Sequence, residues 1–408
     1  MAKKKTTPNV SVDINLEELV SKDNGIVLLR DSDYAEIKDL LPLFLPRFDK
    51  LVGGGLPFGR FIEIAGKPSG GKSTITHHVL RVASALGCIC VLIDVEGTSD
   101  KKRLSALGID TSKVLVKQPT VSMEKLLNAK EKSQFAITVE AVGETVESTL
   151  KLFKSKYPNV PVVYVWDSIG QTASNVELDK DYGDQNVGAR AKALTQLVTK
   201  VSPLISSTKS MFIGINQVRD DIGGNPMFKT VKVTGGKAWE HAASVRLEVK
   251  KKTAIKKSGD HAGHVMGLKT QKSKVSTPMH EIDCYLLGET GIDYEYNLAM
   301  MAKEEGILKD NGGKSYEYTD ATGEHHKKRP DAFIEWLRGE GSYVRQELLN
   351  KLIKVEYPDS PYPALNNETL SLEGWIDQIE EPVHNETPEI NLDSVDEVDN
   401  VVDEILKG

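Results

Sequence analysis

The eight residues from Gly66 to Ser73 have the types and spacing of a loop that binds phosphate groups. They read Gly66-Lys67-Pro68-Ser69-Gly70-Gly71-Lys72-Ser73 and fit the pattern G-x-x-x-x-G-K-[ST], after an apolar run and before a helix-compatible stretch. Glycines let successive backbone N–H groups converge on phosphate oxygens, and a helix N-terminus adds positive potential. We expect Lys72 to reach the β and γ phosphates of a nucleotide, Ser73 to coordinate Mg²⁺, and Thr74 to belong to the same site.

Two acidic residues that end apolar runs are candidates to complete this site. Asp167 follows the run Val162–Trp166, and an acid at such a strand end would hold the magnesium shell. Glu96 closes the run Val91–Glu96 and would orient an attacking water as a general base. The spacing is equally compatible with a carboxylate that faces solvent, so the role of Glu96 stays open at this level.

Short apolar runs separated by helical segments indicate how these residues are positioned. Strands that alternate with helices favour crossover connections, and therefore an α/β fold with a mostly parallel, buried sheet. After Gly236 the pattern alternates as in half-buried strands, which predicts an added antiparallel section. The predicted strands are Phe61–Ala65, Cys88–Ile93, Val162–Trp166, Met211–Ile215, Ser244–Val249 and His280–Leu286. Helix-like segments at Leu298–Gly306, Pro330–Arg338 and Val344–Val355 predict a small C-terminal module.

The acidic residues are concentrated at the C-terminal end. The 408 residues carry a formal net charge of −7, which by itself disfavours binding to nucleic acid. From Asp377 onward, however, eleven acidic residues are opposed by Lys407 alone, so that the remainder is mildly basic. Such a run is typical either of a disordered tail that promotes solubility or of a regulatory segment, and both interpretations stay open.

The sequence divides into four segments, and its composition favours the cytoplasm. The predicted segments are an N-terminal arm (1–47), an α/β core (48–288), a small C-terminal domain (289–376) and an acidic disordered tail (377–408). No apolar run approaches the roughly 20 residues of a membrane helix. The three cysteines are too few for a disulfide framework, as expected in a reducing compartment.

Between Phe48 and Tyr296 the sequence resembles the RecA recombinases. The matching segments are Gly55–Arg60, Ile93–Glu96, Trp166–Ser168, Gly214–Arg219, Ile222–Pro226 and Thr234–Ala238. The resemblance implies a RecA-like P-loop ATPase core with a mostly parallel central sheet, a short N-terminal arm and a small C-terminal α+β module, with ATP and Mg²⁺ as cofactors. It also implies that Glu96 is the catalytic glutamate, that Asp167 binds Mg²⁺ and that Gln217 senses the γ-phosphate.

The same resemblance implies two DNA-binding loops. Tyr182–Lys192 resembles the first loop with the helix after it, and the segment after Gln217 resembles the second. An amide that bonds the γ-phosphate would order the second loop only while ATP is intact, which links DNA affinity to nucleotide state. Judged without the family, each cation is an ordinary surface charge. The implied DNA-binding residues are Val187, Arg190, Lys192, Arg219, Ile222, Thr234, Gly235, Gly236 and Lys237.

Lys272 and Lys274 resemble a pair of lysines that, in bacterial RecA filaments, reach across the subunit boundary to the neighbouring ATP. In that role they would stabilise charge on the transferred phosphoryl group only after two subunits have assembled. A solvated pair of charges at a strand end is the alternative interpretation.

Other positions depart from the family pattern. On the adenine side Asp100 fits, but Lys101-Lys102-Arg103 replaces the usual aromatic residue, so that stacking on adenine would fall to Arg103. Glu240 and His241 stand where the bacterial subunit-interface switch has a lysine and a phenylalanine. The strength of allosteric coupling is therefore in question, and these departures together with the short arm favour the phage UvsX-like branch.

We therefore expect an ATP-dependent homologous recombinase, a DNA-dependent ATPase that forms helical filaments on single-stranded DNA and exchanges strands with duplex DNA. Single-strand-binding and loader proteins are candidate partners, and the expected compartment is the cytoplasm of a bacterial cell, or of the host if the chain is phage-encoded. Two alternatives stay open. One is a hexameric DNA helicase of the same superfamily, and the other is a filament or regulatory protein that binds ATP without turning it over.

Overall fold

The computed structural model describes Leu28 and residues 39–119, 136–179, 188–208, 210–220, 231–233, 237–257, 259–278 and 280–359. For residues 219–220 and 231–233 the description covers the backbone alone. Val187, Ile222, Thr234, Gly235 and Gly236 lie outside the described residues, as does the predicted acidic tail.

Fifteen strands and ten α-helices form in the described part of the chain. The strands are β1 (Leu40–Leu41), β2 (Leu56–Pro57), β3 (Arg60–Gly66), β4 (Ile89–Asp94), β5 (Val114–Lys117), β6 (Val162–Asp167), β7 (Met211–Asp220), β8 (Val231–Val233), β9 (Val245–Lys257), β10 (Asp260–Ser273), β11 (Glu281–Leu287), β12 (Gly291–Ile292), β13 (Lys309–Asp310), β14 (Tyr316–Thr319) and β15 (His325–Lys328). The helices are α1 (Pro46–Leu51), α2 (Lys72–Ala85), α3 (Lys101–Ala106), α4 (Val139–Lys156), α5 (Asn175–Asp179), α6 (Ala189–Ser207), α7 (Lys237–Ala242), α8 (Tyr294–Glu304), α9 (Pro330–Arg338) and α10 (Ser342–Glu356).

A ten-stranded sheet organises the molecule. Its strands follow the order β12-β11-β10-β9-β3-β7-β6-β4-β5, and β8 pairs with β7 beside this path. The strands from β9 to β5 run parallel, whereas β9, β10, β11 and β12 pair antiparallel in sequence. The predicted α/β fold, with a parallel sheet extended by an antiparallel section, is therefore confirmed.

The alternation of side chains along each strand supplies two hydrophobic cores, one on each face of the sheet. In β6, Val163 and Val165 join the cluster that contains α2 and the C-terminal helices, whereas Tyr164 and Trp166 join the cluster that contains α4, α6 and α7. Because both faces are covered, the parallel strands read as continuous apolar runs.

A capping residue fixes the start of α8, and a proline in the first turn fixes the start of α9. Helix α8 begins at Tyr294, four residues before the predicted start, because the Asp293 side chain accepts a hydrogen bond from the Tyr296 N–H at 3.0 Å. Helix α9 begins at Pro330, whose fixed φ suits the first helical turn. Between α8 and α9 the strands β13, β14 and β15 form a three-stranded antiparallel sheet, which gives this module its α+β character.

The predicted segments share one core in the described residues. Leu41 and Leu43, from the predicted arm, lie in the same cluster as Leu298 and Leu348 from the C-terminal module. Arg47 on α1 pairs with three carboxylates of that module, namely Glu304, Glu305 and Glu356. The predicted boundaries at residues 47, 288 and 376 stay predictions.

Within these same ranges, none of the helices combines the length and the apolar character that crossing a lipid bilayer would need.

Candidate functional site

The loop between β3 and α2 is shaped by close packing against β9, β10 and β11. A Cβ on Gly66 would lie 2.4 Å from the carbonyl oxygen of Val249, and a Cβ on Gly71 would lie 2.7 Å from side-chain atoms of Met266 and Leu286. Gly71 also has a φ of 105°, in the left-handed region that favours glycine. No side chain among the described residues caps the N-terminus of α2, which begins directly after Gly71. The loop and the helix therefore present backbone N–H groups to an anion.

Lys72 is the first residue of α2 and lies across this loop. Its ammonium group donates a hydrogen bond to the carbonyl oxygen of Lys67 at 2.9 Å. Burial lowers the pKa of Lys72, and the nearby carboxylates of Asp167 and Glu96 oppose the shift. A partly desolvated cation inside an anion-binding loop interacts more strongly with phosphate than a solvated lysine does.

Ser73 and Asp167 form a pair of oxygen ligands next to Lys72. The Ser73 hydroxyl donates to Oδ2 of Asp167 at 2.7 Å. Burial raises the pKa of Asp167, the hydrogen bond from Ser73 opposes this shift, and the charges of Glu96 and Asp94 add to it. These two groups suit a hard divalent cation such as Mg²⁺, which binds oxygen ligands and would stabilise the ionised carboxylate that burial disfavours.

Two further acids, Asp94 and Glu96, lie at the end of β4. Asp94 is opposite Asp167 in the parallel pairing of β4 with β6. Burial disfavours its charge, but hydrogen bonds from Ser99 and Gln118 prevail and lower the pKa of Asp94. Glu96 is exposed, and its Oε1 lies 3.4 Å from the hydroxyl of Ser168. Asp94 was not predicted as a member of this site, although its position at a strand end was a visible signal.

Gln217 lies at the same edge of the sheet. The parallel pairing of β3 with β7 places it opposite Gly66, the first residue of the loop. Its backbone N–H donates to Oδ1 of Asn216 at 3.0 Å, and its side chain is half-buried. The carboxyl ends of β3, β4, β6 and β7 thus bring the loop, three acids and an amide together, at the edge where open α/β sheets bind ligands.

Asp100 and Arg103 lie on α3, which follows this edge. The Asp100 side chain accepts a hydrogen bond from the Lys102 N–H at 2.7 Å and so caps the helix. Arg103 is exposed and donates to the carbonyl oxygen of Glu289 at 3.0 Å. The contact of these residues with a nucleotide base stays a prediction.

The described candidates for DNA binding differ in their surroundings. Arg190, near the start of α6, pairs with Glu177 and donates to the Gly170 carbonyl oxygen at 3.0 Å. Lys192 and Lys237 are exposed on α6 and α7. Arg219 lies in β7, where only the backbone is described. Arg190 therefore anchors the start of its helix, whereas Lys192 and Lys237 face solvent.

The two lysines at the end of β10 and just after it are not equivalent. The Lys272 ammonium donates to the carbonyl oxygens of Glu240 and His241, at 3.1 and 2.9 Å, at the C-terminal end of α7. Burial and the neighbouring charges of Lys274 and Arg246 lower the pKa of Lys272. Lys274 is exposed. Within one subunit Lys272 thus holds a helix end, and Lys274 reaches solvent.

Comparison with known proteins agrees with this geometry. The RecA N-terminal domain family matches residues 22–293 of the chain. The chain is 31% identical to Protein RecA of Thermotoga maritima over 311 residues, which cover 76% of this chain and 80% of that protein. It is 30% identical to Protein RecA of Nostoc sp. over 327 residues, which cover 78% and 83%. It is 32% identical to Protein RecA of Lactobacillus acidophilus over 272 residues, which cover 66% and 68%.

Proposed function

Because the chain belongs to the RecA family, we propose that it is an ATP-dependent recombinase that forms helical filaments on single-stranded DNA and pairs it with duplex DNA. The proposal depends above all on one observation. The phosphate loop, the Ser73–Asp167 pair, Glu96 and Gln217 converge at one edge of the sheet. This arrangement is suited to the hydrolysis of a triphosphate and to sensing whether its γ-phosphate is present. Assignment to the phage UvsX-like branch stays a prediction.

Different residues of the loop and of its surroundings would bind different parts of ATP. The backbone from Gly66 to Gly71 and the first turn of α2 hold the phosphate oxygens, and Lys72 neutralises charge on the β and γ phosphates. Ser73 and Asp167 would hold Mg²⁺, which neutralises further phosphate charge when it is bound. Asp94, at the adjoining strand end, adds negative charge beside this pair. Asp100 and Arg103 would flank the adenine.

Hydrolysis would use Glu96 together with cations from a neighbouring subunit. Glu96 is exposed at the open edge, where its carboxylate can take a proton from the attacking water. Lys274 reaches solvent on the surface that would face the next subunit's ATP, whereas Lys272 must first leave the end of α7. Assembly would therefore complete the catalytic site.

DNA binding would follow from the state of Gln217. An amide that contacts the γ-phosphate holds the end of β7, and the second predicted DNA loop begins a few residues further on. Lys192 and Lys237 would contact phosphates, as would Arg219, with Arg190 fixing the start of α6 behind the first loop. ATP hydrolysis would then lower the affinity of the protein for DNA.

The free edge of the large sheet is suited to filament assembly. Strand β5 ends the sheet, and its side chains Leu115 and Val116 are 53% and 51% exposed. No strand among the described residues pairs with its outer side. An exposed apolar edge favours addition of a strand from another chain, and repeated addition of that kind builds an open helix.

ATP turnover with and without single-stranded DNA, together with negative-stain images, tests the proposal. A recombinase should hydrolyse ATP faster with DNA and form helical filaments. Closed rings would instead support the helicase, and filaments without DNA-stimulated turnover would support a protein that only binds ATP.

Glu96→Ala tests most directly whether Glu96 is the general base. We expect ATP binding to be retained, turnover to fall by about 10²–10⁴-fold, and the DNA-bound state to persist. Equilibrium binding of a fluorescent ATP analogue and a phosphate-release assay measure the two effects separately. Glu144→Ala removes another exposed acid, on α4, and should behave as wild type, whereas Lys72→Ala should lose nucleotide binding or turnover. Normal hydrolysis by Glu96→Ala would place the base elsewhere.

A further inference from the structure

Glu63 is a fully buried carboxylate in the middle of β3, three residues before the phosphate loop. Its Oε1 accepts a hydrogen bond from the Asn216 amide at 2.9 Å, and its Oε2 pairs with the Arg246 guanidinium. The side chain of Glu63 is 1% exposed, and that of Arg246 is 15% exposed. A buried charge is costly unless it is paired, so both partners are held firmly.

The two partners of Glu63 lie on the two strands that flank β3, namely β7 and β9. Asn216 immediately precedes Gln217 and accepts the hydrogen bond of its backbone N–H. Arg246, directly across from Glu63 on β9, donates to Oε1 of Glu240 on α7 at 2.7 Å. One carboxylate therefore joins the strand end that carries Gln217 to helix α7.

Helix α7 is in turn connected to Lys272. Carbonyl groups at the C-terminal end of the helix accept hydrogen bonds from the Lys272 ammonium. Lys272 is opposite Arg246 in the pairing of β10 with β9. The segment between β7 and α7 contains the second predicted DNA loop. Both described elements that flank this loop are thus tied to Glu63, one through Asn216 and the other through Arg246.

We propose that Glu63 is a positioning residue that couples Gln217 to helix α7. The inference rests on the proposed function, in which Gln217 contacts the γ-phosphate. When Gln217 moves, Asn216 must follow, and the shared carboxylate transmits the shift through Arg246 to Glu240 and to the helix end that holds Lys272. The two ends of the DNA loop, and the lysine that would act across the subunit boundary, then respond together to nucleotide state.

Glu63→Gln in the full chain tests this role. Glutamine has nearly the same shape, but its single carbonyl oxygen replaces two acceptors, and its NH₂ group must face one of the two donors. We expect binding of a fluorescent ATP analogue to stay within about twofold, since the phosphate loop is unchanged. The ratio of single-stranded DNA dissociation constants in ADP and in a non-hydrolysable ATP analogue should fall by about tenfold.

Two further variants separate positioning from stability. Glu295→Gln alters a buried carboxylate of the C-terminal module that pairs with Arg338 and Arg345; it should lower Tm and leave the ratio intact. We expect Glu63→Gln to lower Tm as well, because the guanidinium of Arg246 loses its buried carboxylate. The double variant Glu63→Gln/Arg246→Met removes both members of that buried ion pair and should recover Tm but not the ratio. Recovery of the ratio by the double variant, or an equal loss of it in Glu295→Gln, would overturn the inference.

Gln217→Ala distinguishes the two levels of the argument. If Gln217→Ala abolishes the nucleotide dependence of DNA affinity while Glu63→Gln retains it, the inference about Glu63 is wrong and the proposed function stands. If Gln217→Ala keeps the full dependence, the sensing role of Gln217 in the proposed function is wrong, and the inference falls with it.

Discussion

Asp167 and Lys72 each carry a charge that the folded chain disfavours when no ligand is present. Burial raises the pKa of the acid and lowers the pKa of the base, and each group partly offsets the cost of the other. In a site that binds a divalent cation and a polyphosphate, these buried charges would favour ligand binding, because the ligand charges would stabilise them. The ligand-free fold is correspondingly less stable than it would be with neutral residues in their place.

Asp167→Asn should therefore stabilise the ligand-free protein while it removes the response to Mg²⁺ and ATP. Because the pKa of Asp167 is higher in the folded than in the unfolded chain, its ionisation costs stability above that pKa. The cost vanishes below the unfolded value, where both states are protonated. We expect Tm of the variant to rise by about 1–2 °C at neutral pH and the difference to shrink in acid. Thermal unfolding with and without Mg-ATP measures both effects, and a lower ligand-free Tm at neutral pH would contradict the argument.

The sequence predicted those site residues that follow one another along the chain or that end a recognisable strand. The phosphate loop, Lys72 and Ser73 follow one another, and Asp167 ends a recognisable strand. The anchoring of Lys272 at the end of α7 could not be predicted, because it depends on the register of β10 with β9. The bond between Asn216 and Glu63 joins residues 153 positions apart and gave no local signal.

Helix α7 is short, and a buried tryptophan packs it against the sheet. Trp239 is fully buried and packs edge-on against Phe61, Trp166 and Phe212 on the sheet. Gly214 in β7 leaves the space for it, since a Cβ there would lie 2.6 Å from the Trp239 ring and 2.4 Å from Ile169. The absence of a side chain at residue 214 therefore fixes how closely α7 approaches the sheet.

Gly214→Ala and Gly143→Ala should change stability in opposite directions. The first forces a methyl group into rigid aromatic packing and should cost about 1–3 kcal/mol in the free energy of unfolding. The second lies inside α4, where a Cβ would be 3.4 Å from Leu197, an ordinary contact. Alanine should gain about 0.5–1 kcal/mol there because glycine is a poor helix former. Urea unfolding of both variants measures the contrast, and equal effects would show that the space around Gly214 is not limiting.

At the element scale the apolar runs predicted the parallel strands, because strands buried on both faces need continuous hydrophobic residues. Strand β10 was not predicted, although it is 14 residues long. Its sequence is interrupted by Gly263 and Gly267 and is rich in polar residues. A Cβ on Gly263 would lie 2.1 Å from the carbonyl oxygen of Leu286, whereas a Cβ on Gly267 would meet only the flexible end of the Lys252 side chain, and only the folded sheet reveals these contacts.

Among the described residues, one of the two hydrophobic cores crosses the predicted domain boundary at residue 288. Leu298 and Met301 on α8 and Leu348 on α10 are almost fully buried in the cluster that also contains Ile62 and Leu92 of the large sheet. Strand β12 extends that sheet beyond the boundary. The C-terminal module therefore covers apolar surface of the core, which would otherwise face water.

A chain that ends at residue 376, before the predicted acidic tail, should fold like the full chain, whereas one that ends at 288 should not. The first keeps all the described elements, and its Tm should change by less than about 2 °C. The second loses β12, α8 and the helices beyond, and the apolar surface exposed should cause aggregation. Size-exclusion chromatography and thermal unfolding compare the two. A monodisperse, cooperatively unfolding 1–288 fragment would instead support an autonomous core.

Charge is unevenly distributed along the chain, and under the proposed function this bears on how the chain would bind DNA. Residues 1–376 carry a formal net charge of +3, and residues 377–408 carry −10. If the tail is regulatory, this polyanionic segment would compete with DNA phosphates for the same cations, at a high effective concentration. Such competition acts on association more than on the contacts of the final complex.

Deletion from Asp377 should therefore speed association with single-stranded DNA about tenfold at low salt, near 10 mM, where the Debye length is about 30 Å. The gain should disappear near 1 M, where the Debye length is about 3 Å. Stopped-flow fluorescence with a labelled oligonucleotide measures the rates. A matched control keeps the tail length and replaces its Asp and Glu with Asn and Gln. If the amide tail binds as fast as the truncated chain, charge is the cause; if it is as slow as wild type, the tail obstructs DNA by its bulk and the electrostatic argument is wrong.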